Sequence, residues 1–291
     1  LLKGLTNNIK LVLVGDYNQL PSVGSGNVLK DLIDSDIIDV VELDLLYRQD
    51  EFSYIPVLAN EIKNETLEDD FLIDRDDYKF LECSSDAIVP SLVNIVKKVI
   101  SKGYDYKRVQ IMAPMYAGVN GIDNINKVLQ DVFNPSCVGC KEIKYGDVIF
   151  RENDKILQLV NDPDNNVFNG DIGVIKDINY KGKSGHPEIT IDYYGTIVTY
   201  QAKDFNKFKH GFIISIHKSQ GSEFELVIMP ICLSYKRMLY KKLIYTGITR
   251  AKKRLIIIGD PNAFMFGIKK TIEYSRKTNL LEKLTNKLYN K

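Results

Sequence analysis

The sequence predicts an α/β protein with a parallel sheet, interrupted by a smaller all-β domain. Short apolar runs bounded by glycine, proline or polar turns fit strands that are buried on both faces, and they occupy residues 9–16, 109–113 and 255–258. Between these runs, residues 87–100 and 118–133 space their apolar side chains as amphipathic helices do. Alternation of strands and helices indicates an α/β sheet.

From about residue 143 the pattern changes to short β-rich runs separated by turn dipeptides such as Asn169-Gly170. The five runs are residues 146–150, 155–160, 173–178, 188–193 and 196–200. They predict a small β-barrel inserted into an α/β domain that resumes at Gly211. Residues 262–291 predict one or two further amphipathic helices.

Composition describes a globular protein with more than one domain. The chain has 291 residues, 44% of them hydrophobic and 26% charged, with a formal net charge of +1. This near-neutral net charge neither indicates a nucleic-acid partner nor excludes one, because a basic groove can lie opposite an acidic face.

Four cysteines do not make a secreted disulfide framework, and no apolar run is long enough to span a bilayer. We therefore expect a cytoplasmic location with no membrane partner. The first residue is leucine, which suggests a fragment or a processed product.

Two polar loops between the apolar runs of residues 211–260 carry the side chains best suited to chemistry. We expect the loops to lie side by side at one edge of the sheet, where their donors, cation and carboxylate would suit phosphate and ribose groups. The residues are His217, Lys218, Ser219, Gln220, Gly221 and Glu223 in the first loop, and Thr246, Thr249 and Arg250 in the second.

Arg250 stands between a helix-like segment and a buried strand, where its guanidinium either grips a phosphate or pairs with a neighbouring carboxylate. The same two alternatives, binding a phosphate or pairing with a carboxylate, apply to Arg48, which follows Tyr47. Two such arginines, with Gln19 on a third loop, favour a phosphate site over unrelated salt bridges.

Six segments occur in the order and at roughly the spacings of the later motifs of superfamily-one helicases. They are GDYNQLPSVGSGNVLKDLI, LYRQ, IMAPMYAGVNGIDNIN, VFNGDIGVI, SIHKSQGSEFELVIM and YTGITRAKKRLIIIGD. The sequences of these motifs most resemble those of the RecD-like branch, the relatives of the exodeoxyribonuclease V alpha chain. The resemblance implies a RecA-like sheet with an SH3-like insert: a remnant of a first RecA-like domain at 1–48, a second at 49–143 and 206–291, and the insert at 144–205.

The resemblance also implies roles on the nucleotide. Gln19 would sense the γ-phosphate of ATP, Arg48 and Arg250 would be arginine fingers, and Tyr47 would pack on the adenine. In the GSEF string, Gly221 would lie at the nucleotide and Glu223 would reach the ribose.

The same resemblance implies a single-stranded DNA partner and a place in recombination or repair, with other subunits of such a complex as further partners. The expected strand-contacting residues are Ser215, His217, Lys218 and Thr246. Movement along the strand would run 5′ to 3′.

One departure from the family pattern matters for catalysis. A P-loop needs a GxxxxGK[ST] string, and the sequence contains none; the acidic magnesium-binding pair that precedes GDxxQLP in the family is also absent. The resemblance is therefore to a carboxy-terminal portion. ATP and Mg²⁺ would be cofactors of the full-length protein, no metal ligand is expected here, and this chain alone is expected not to hydrolyse ATP.

A non-catalytic module that binds nucleic acid or a protein partner is the alternative function. A nuclease has little support, because no compact cluster of Asp, Glu and Lys has metal-dependent cleavage spacing. Cys137 and Cys140 have zinc-knuckle spacing but make only half of a site, and His186 and His210 are expected at the surface.

Overall fold

A computed structural model describes residues 2–6, 8–21, 24–43, 53–182, 185–270 and 278–289. The chain divides into two compact units, one formed by Leu1–Tyr47 with Ile272–Lys291 and the other by Arg48–Thr271. The predicted domain boundaries differ from this division, since they group residues 272–291 with the second α/β domain.

The secondary structure alternates helices and strands, then turns to β, then alternates again. The helices are α1 (Val28–Asp34), α2 (Tyr54–Asn64), α3 (Ile88–Ser101), α4 (Ile122–Phe133), α5 (Lys241–Ile248), α6 (Pro261–Lys269) and α7 (Leu280–Tyr289). The strands are β1 (Tyr78–Glu82), β2 (Val109–Ala113), β3 (Glu142–Tyr145), β4 (Val148–Arg151), β5 (Lys155–Gln158), β6 (Ile172–Asn179), β7 (Glu188–Tyr193), β8 (Thr196–Gln201), β9 (Phe208–His210), β10 (Ile213–Ser215), β11 (Phe224–Ile231) and β12 (Ala251–Gly259).

A five-stranded parallel sheet in the order β1-β12-β11-β2-β10 forms the centre of the larger unit. Every residue of β2 is buried, as is nearly every residue of β11, which explains their continuous apolar runs. The crossovers from β1 to β2 and from β11 to β12 run in opposite directions across the sheet. Since such crossovers are right-handed, α3 and α5 cover opposite faces. The predicted parallel α/β sheet is confirmed.

The inserted β domain is also confirmed. Five antiparallel strands in the order β8-β7-β6-β5-β9 curl around an apolar core, and Phe150 of the two-stranded β3–β4 hairpin joins that core. The strands run from Glu142 to His210, a wider span than the predicted 144–205, because the short strand β9 carries no apolar run long enough to signal it.

Residues 9–16, predicted as a buried strand, are not a strand, and this prediction is wrong. Val12 is 68% exposed and Val14 is 92% exposed. A parallel strand obtains its hydrogen bonds only from neighbouring strands, and the described residues of the smaller unit include none. In that unit α1 packs with α7, and Thr278 Oγ1 donates to Asp31 Oδ2 at 2.7 Å.

The acidic stretch 64–78 is partly internal. Phe71 is buried between Phe80 and Phe264, with ring centroids 5.3 and 5.1 Å away, and Tyr78 begins β1. The sequence signal for β1 is weak because lysine and glutamate alternate with its apolar residues.

Candidate functional site

The polar loops that the sequence predicts at one edge of the sheet lie at two edges. Ser215 ends β10 and therefore lies at the carboxyl edge, whereas Glu223 and Arg250 immediately precede β11 and β12 and lie at the amino edge. The loop of residues 216–223 runs from one edge to the other, because β10 and β11 are parallel. The expectation of a single edge was wrong, since it ignored the crossover that parallel strands require.

At the amino edge Arg250 is held by a set of oxygen acceptors. Its side chain is 5% exposed; Nε donates to the carbonyl of Thr246 at 3.2 Å, Nη1 to that of Ser222 at 3.1 Å, and Nη2 to Thr249 Oγ1 at 3.2 Å. The amide of Phe224 donates back to the Arg250 carbonyl at 2.9 Å. The guanidinium is thus fixed beside the residues that flank Glu223.

Glu223 forms an ion pair with Lys252, Oε2 to Nζ 2.9 Å, and lies in a cleft of about 560 Å³ between the sheet and the β domain. Tyr193 and Tyr194 line the cleft from the β domain. Gly221, two residues earlier, has a φ of +82°, a left-handed conformation that suits glycine. This edge therefore offers a carboxylate, cations and aromatic rings around one opening.

Thr246 is fully buried in α5, where its hydroxyl donates to the carbonyl of Lys242 at 2.7 Å. Its own carbonyl accepts the bond from Arg250. The structure places this residue beneath the arginine rather than on a strand-facing surface.

At the carboxyl edge, a tyrosine that the sequence analysis did not predict as functional lies against Ser215. The hydroxyl of Tyr116 donates to Ser215 Oγ at 3.2 Å, and the ammonium of Lys209 lies 3.9 Å from the centroid of the Tyr116 ring. Tyr116 follows the carboxyl end of β2, in the segment IMAPMYAG, and that position was the available signal.

His217 and Lys218 follow Ser215 in a 3-10 turn, Ile216–Ser219. Burial lowers the pKa of the His217 imidazole and of the Lys218 ammonium, because desolvation disfavours a charged form. Lys218 Nζ donates to Oδ1 of Asn169 in the β domain.

Gln19 belongs to the smaller unit. Its Nε2 donates to Asp16 Oδ2 at 3.0 Å, and the amide of Asn18 donates to Asp16 Oδ1 at 2.9 Å, so the carboxylate organises this turn. Arg48 and Tyr47 lie outside the described residues.

A buried polar joint, which the sequence did not predict, connects the β domain with the sheet and its helices. Asp154 accepts hydrogen bonds from Gln130 Nε2 at 2.7 Å and from Asn134 Nδ2 at 2.8 Å, and its Oδ2 lies 3.1 Å from His210 Nε2. His210 is thus buried, and its expected surface position was wrong because this carboxylate accompanies it inside.

Lys155, the next residue in the joint, is fully buried. Its Nζ donates to the carbonyls of Val109 at 2.8 Å and of Lys107 at 3.4 Å, at the start of β2. Desolvation lowers the pKa of the Lys155 amine to about 7.

No group of three or more His, Cys, Asp and Glu side chains that could hold a metal ion occurs within the described ranges. Cys137 and Cys140 are joined to each other in a disulfide. None of the described helices is long and apolar enough to cross a membrane.

Three family models match the chain in order. An AAA domain matches residues 1–82, the SH3 domain of ATP-dependent RecD-like DNA helicases matches 125–193, and the UvrD-like helicase C-terminal domain matches 210–258. An ATP-dependent RecD2 DNA helicase from Deinococcus radiodurans is 28% identical over 98% of the chain. A RecBCD enzyme subunit RecD from Buchnera aphidicola subsp. Schizaphis graminum is 23% identical over 91%.

The chain is therefore similar to the RecD-like superfamily-one helicases.

The inserted β domain contains most of the residues that match the RecD-like SH3 domain, and it is called the SH3 domain below, although its strands extend beyond the matched residues to His210. The chain spans 37% of the Deinococcus relative and 52% of the Buchnera relative. Among solved structures, Bacteroides Pif1 bound to single-stranded DNA superimposes with a TM-score of 0.51 at 16% identity, over 92% of this chain and 65% of that chain. This likeness supports the fold.

Proposed function

We propose that this RecD-like chain is the strand-binding and nucleotide-sensing part of an ATP-dependent DNA helicase that moves 5′ to 3′ along single-stranded DNA. One observation carries the proposal: the short loop of residues 216–223 joins a polar carboxyl edge at Ser215 to an amino edge where Arg250 is fixed beside Glu223. In this proposal, the loop would carry a shift at one edge to the other.

The amino edge fits one side of a nucleotide. A guanidinium can bind phosphate oxygens in a fixed geometry, and a carboxylate such as Glu223 can accept from ribose hydroxyls. ATP bound there would supply the phosphoryl group whose hydrolysis drives movement. We assign Arg250 to the phosphate, Gly221 and Glu223 to the ribose side, and propose Arg48, Tyr47 and Gln19 as further nucleotide contacts.

The carboxyl edge fits a nucleic-acid backbone. His217 offers an imidazole and Lys218 a cation on one turn of chain, and the buried hydroxyl of Ser215 lies directly before them. Phosphates are bound by such side chains irrespective of base sequence. The buried position of Thr246 supports an indirect role for it, through its bond to Arg250.

We propose that the phosphate cradle and the magnesium ligands come from outside these 291 residues. The sequence has no GxxxxGK[ST] string, and the part of the chain that the structure describes has no metal-binding cluster. The chain alone would then bind DNA without sustained ATP hydrolysis. Since two relatives from Buchnera carry the name RecBCD enzyme subunit RecD, further subunits are proposed partners.

The test is unwinding by the intact protein of duplexes that carry either a 5′ or a 3′ single-stranded tail, with and without ATP and Mg²⁺. We expect ATP-dependent unwinding of the 5′-tailed duplex only. Unwinding of only the 3′-tailed duplex would contradict the polarity, and strand binding with no unwinding would favour a binding module. Sustained, DNA-stimulated ATP hydrolysis by residues 1–291 alone would contradict the missing cradle.

A further inference from the structure

We propose that Asn169, in a turn of the SH3 domain, is a positioning residue that fixes the ammonium of Lys218 for the DNA backbone and so couples the SH3 domain to strand binding. The inference rests on the proposed function, because it takes Lys218 as a strand contact. Asn169 itself is not assigned a contact with DNA.

The turn at Asn169-Gly170 of the SH3 domain contacts the loop of residues 216–223 through both its side chain and its main chain. Lys218 Nζ donates to Asn169 Oδ1 across 49 residues of sequence. A Cβ atom added at Gly170 would stand 3.5 Å from the Lys218 carbonyl, so the two backbones are in van der Waals range. Gly170 has a φ of +106°, a conformation that L side chains rarely adopt and that lets the turn present Asn169 here.

The turn is rigidly attached to the SH3 domain. The amide of Asn169 donates to Asn161 Oδ1 at 2.9 Å, and the amide of Gly170 donates to the carbonyl of Gln158 at 3.0 Å. Gln158 is fully buried, and its Oε1 accepts from the hydroxyl of Tyr193 at 2.8 Å in the domain core. The position of the Lys218 ammonium is therefore set by the body of the SH3 domain.

An amide oxygen is suited to positioning a cation that must bind something else. It is uncharged, so it orients the ammonium without neutralising it, and an ammonium has three donors, of which Asn169 occupies one. A carboxylate at position 169 would compete with phosphate. The charge of Lys218 acts on nearby Lys209, whose ammonium lies over the Tyr116 ring, so the two lysines form one cationic surface beside Tyr116.

The test measures binding of oligo-dT to the intact protein by fluorescence anisotropy across a salt series. Asn169→Ala is expected to weaken binding about tenfold, the effect of losing one hydrogen bond to a charged group at the low end of the usual range, while the salt slope stays unchanged because Lys218 keeps its charge. Lys218→Ala should weaken binding and reduce the slope by about 0.7. Asn169→Ala should add no further loss in the Lys218→Ala background.

Asn165→Ala is the matched control. Asn165 lies in the same connection between β5 and β6, but its Nδ2 donates to Asp162 Oδ2 at 3.0 Å, so binding should be unchanged. Unchanged binding in Asn169→Ala, with weakened binding in Lys218→Ala, overturns the coupling and leaves the proposed function intact. If Lys218→Ala changes neither affinity nor slope, the proposed role of Lys218 itself fails.

Asn169→Asp decides the same question should the alanine variant unfold. Aspartate keeps the size and the acceptor but pairs with the ammonium, so we expect the slope to fall by about as much as in Lys218→Ala. A slope equal to that of the native protein would overturn the inference. Thermal unfolding of each variant shows whether its fold is intact.

Discussion

Arg250 Nη1 donates a hydrogen bond to the main-chain oxygen of Ser222 at 3.1 Å, and Glu223 follows directly in the chain. The Arg250 carbonyl in turn accepts from the amide of Phe224 at 2.9 Å, so the starts of β11 and β12 are tied together around the guanidinium. Movement of this arginine would therefore shift the loop that ends at Glu223. If Arg250 contacts a nucleotide, as proposed, the resulting movement of the loop would reach Ser215, where that loop begins.

Arg250→Ala is expected to lower kcat for ATP in the intact protein by about a hundredfold or more while oligo-dT affinity changes little, because an arginine finger acts on the charge of the transition state. Steady-state ATPase and anisotropy measurements check this. Arg254→Ala is the matched control, since Arg254 is exposed on the same strand β12.

Arg250→Lys separates the proposed catalytic role of Arg250 from its packing role. Lysine keeps the charge but cannot reproduce the three bonds of the guanidinium, so turnover should remain low in a variant that unfolds near the native temperature. Equal losses of strand binding and turnover in both variants would instead show that Arg250 is structural.

Tyr116→Ala is expected to weaken oligo-dT binding about fivefold or more, within the range for loss of one base-stacking ring. The hypothesis comes from the position of the ring, which is 36% exposed and has the Lys209 ammonium over one face. Tyr116→Phe, which loses only the bond to Ser215, should bind nearly as the native protein does. Tyr180→Ala, at a tyrosine that is 51% exposed in the SH3 domain, is the control. Equal binding by Tyr116→Ala and the native protein would remove Tyr116 from the strand path.

Local patterns predicted much of the fold. Apolar spacing in residues 87–100 and 109–113 predicted α3 and β2 within about a residue, and the turn Asn169-Gly170 correctly marked a connection in the SH3 domain. These features are encoded by periodicity and turn chemistry, which act over a few residues. The run at residues 9–16 has the same local character but no described partner strand, and no local pattern could reveal that.

Contacts between distant segments were beyond the sequence. Lys155 and Asp154 have charged side chains, which predict a surface, yet both are buried because carbonyl and amide groups of other segments meet them. Lys209 and Tyr116 meet only after β9 and β2 are placed in their sheets. Arg250 and Glu223 were selected correctly as neighbours, since the strands that follow them are adjacent.

Gly259→Ala is expected to destabilise the sheet by about 3 kcal/mol or more. Gly259 has a φ of +138°, and an added Cβ would stand 1.8 Å from the carbonyl oxygen of Ile231, so the ends of β11 and β12 would have to separate. Gly103→Ala is the control that measures the cost of a positive φ without a steric clash. Gly103 has a φ of +78°, but nothing lies within 4 Å of an added Cβ. It should cost only roughly 1–2 kcal/mol. Similar costs for the two variants, measured by urea unfolding, would contradict the collision.

Lys155→Met is expected to remove a pH dependence of stability. The pKa of Lys155 is about 7 in the folded protein against 10.5 for an ordinary lysine, so between these values the unfolded chain binds more protons than the folded one. Stability contributed by this residue therefore rises as pH increases from about 7 to about 10.5, by at most about 1.4 kcal/mol per pH unit. A neutral amine has two donors, which match the carbonyls of Val109 and Lys107.

Urea unfolding at pH 7, 8 and 9 should show the native protein gaining stability relative to Lys155→Met. Lys144→Met, at an exposed lysine of β3, should follow the native protein at every pH. Parallel pH profiles for the native protein and Lys155→Met would show that Lys155 does not titrate in this window.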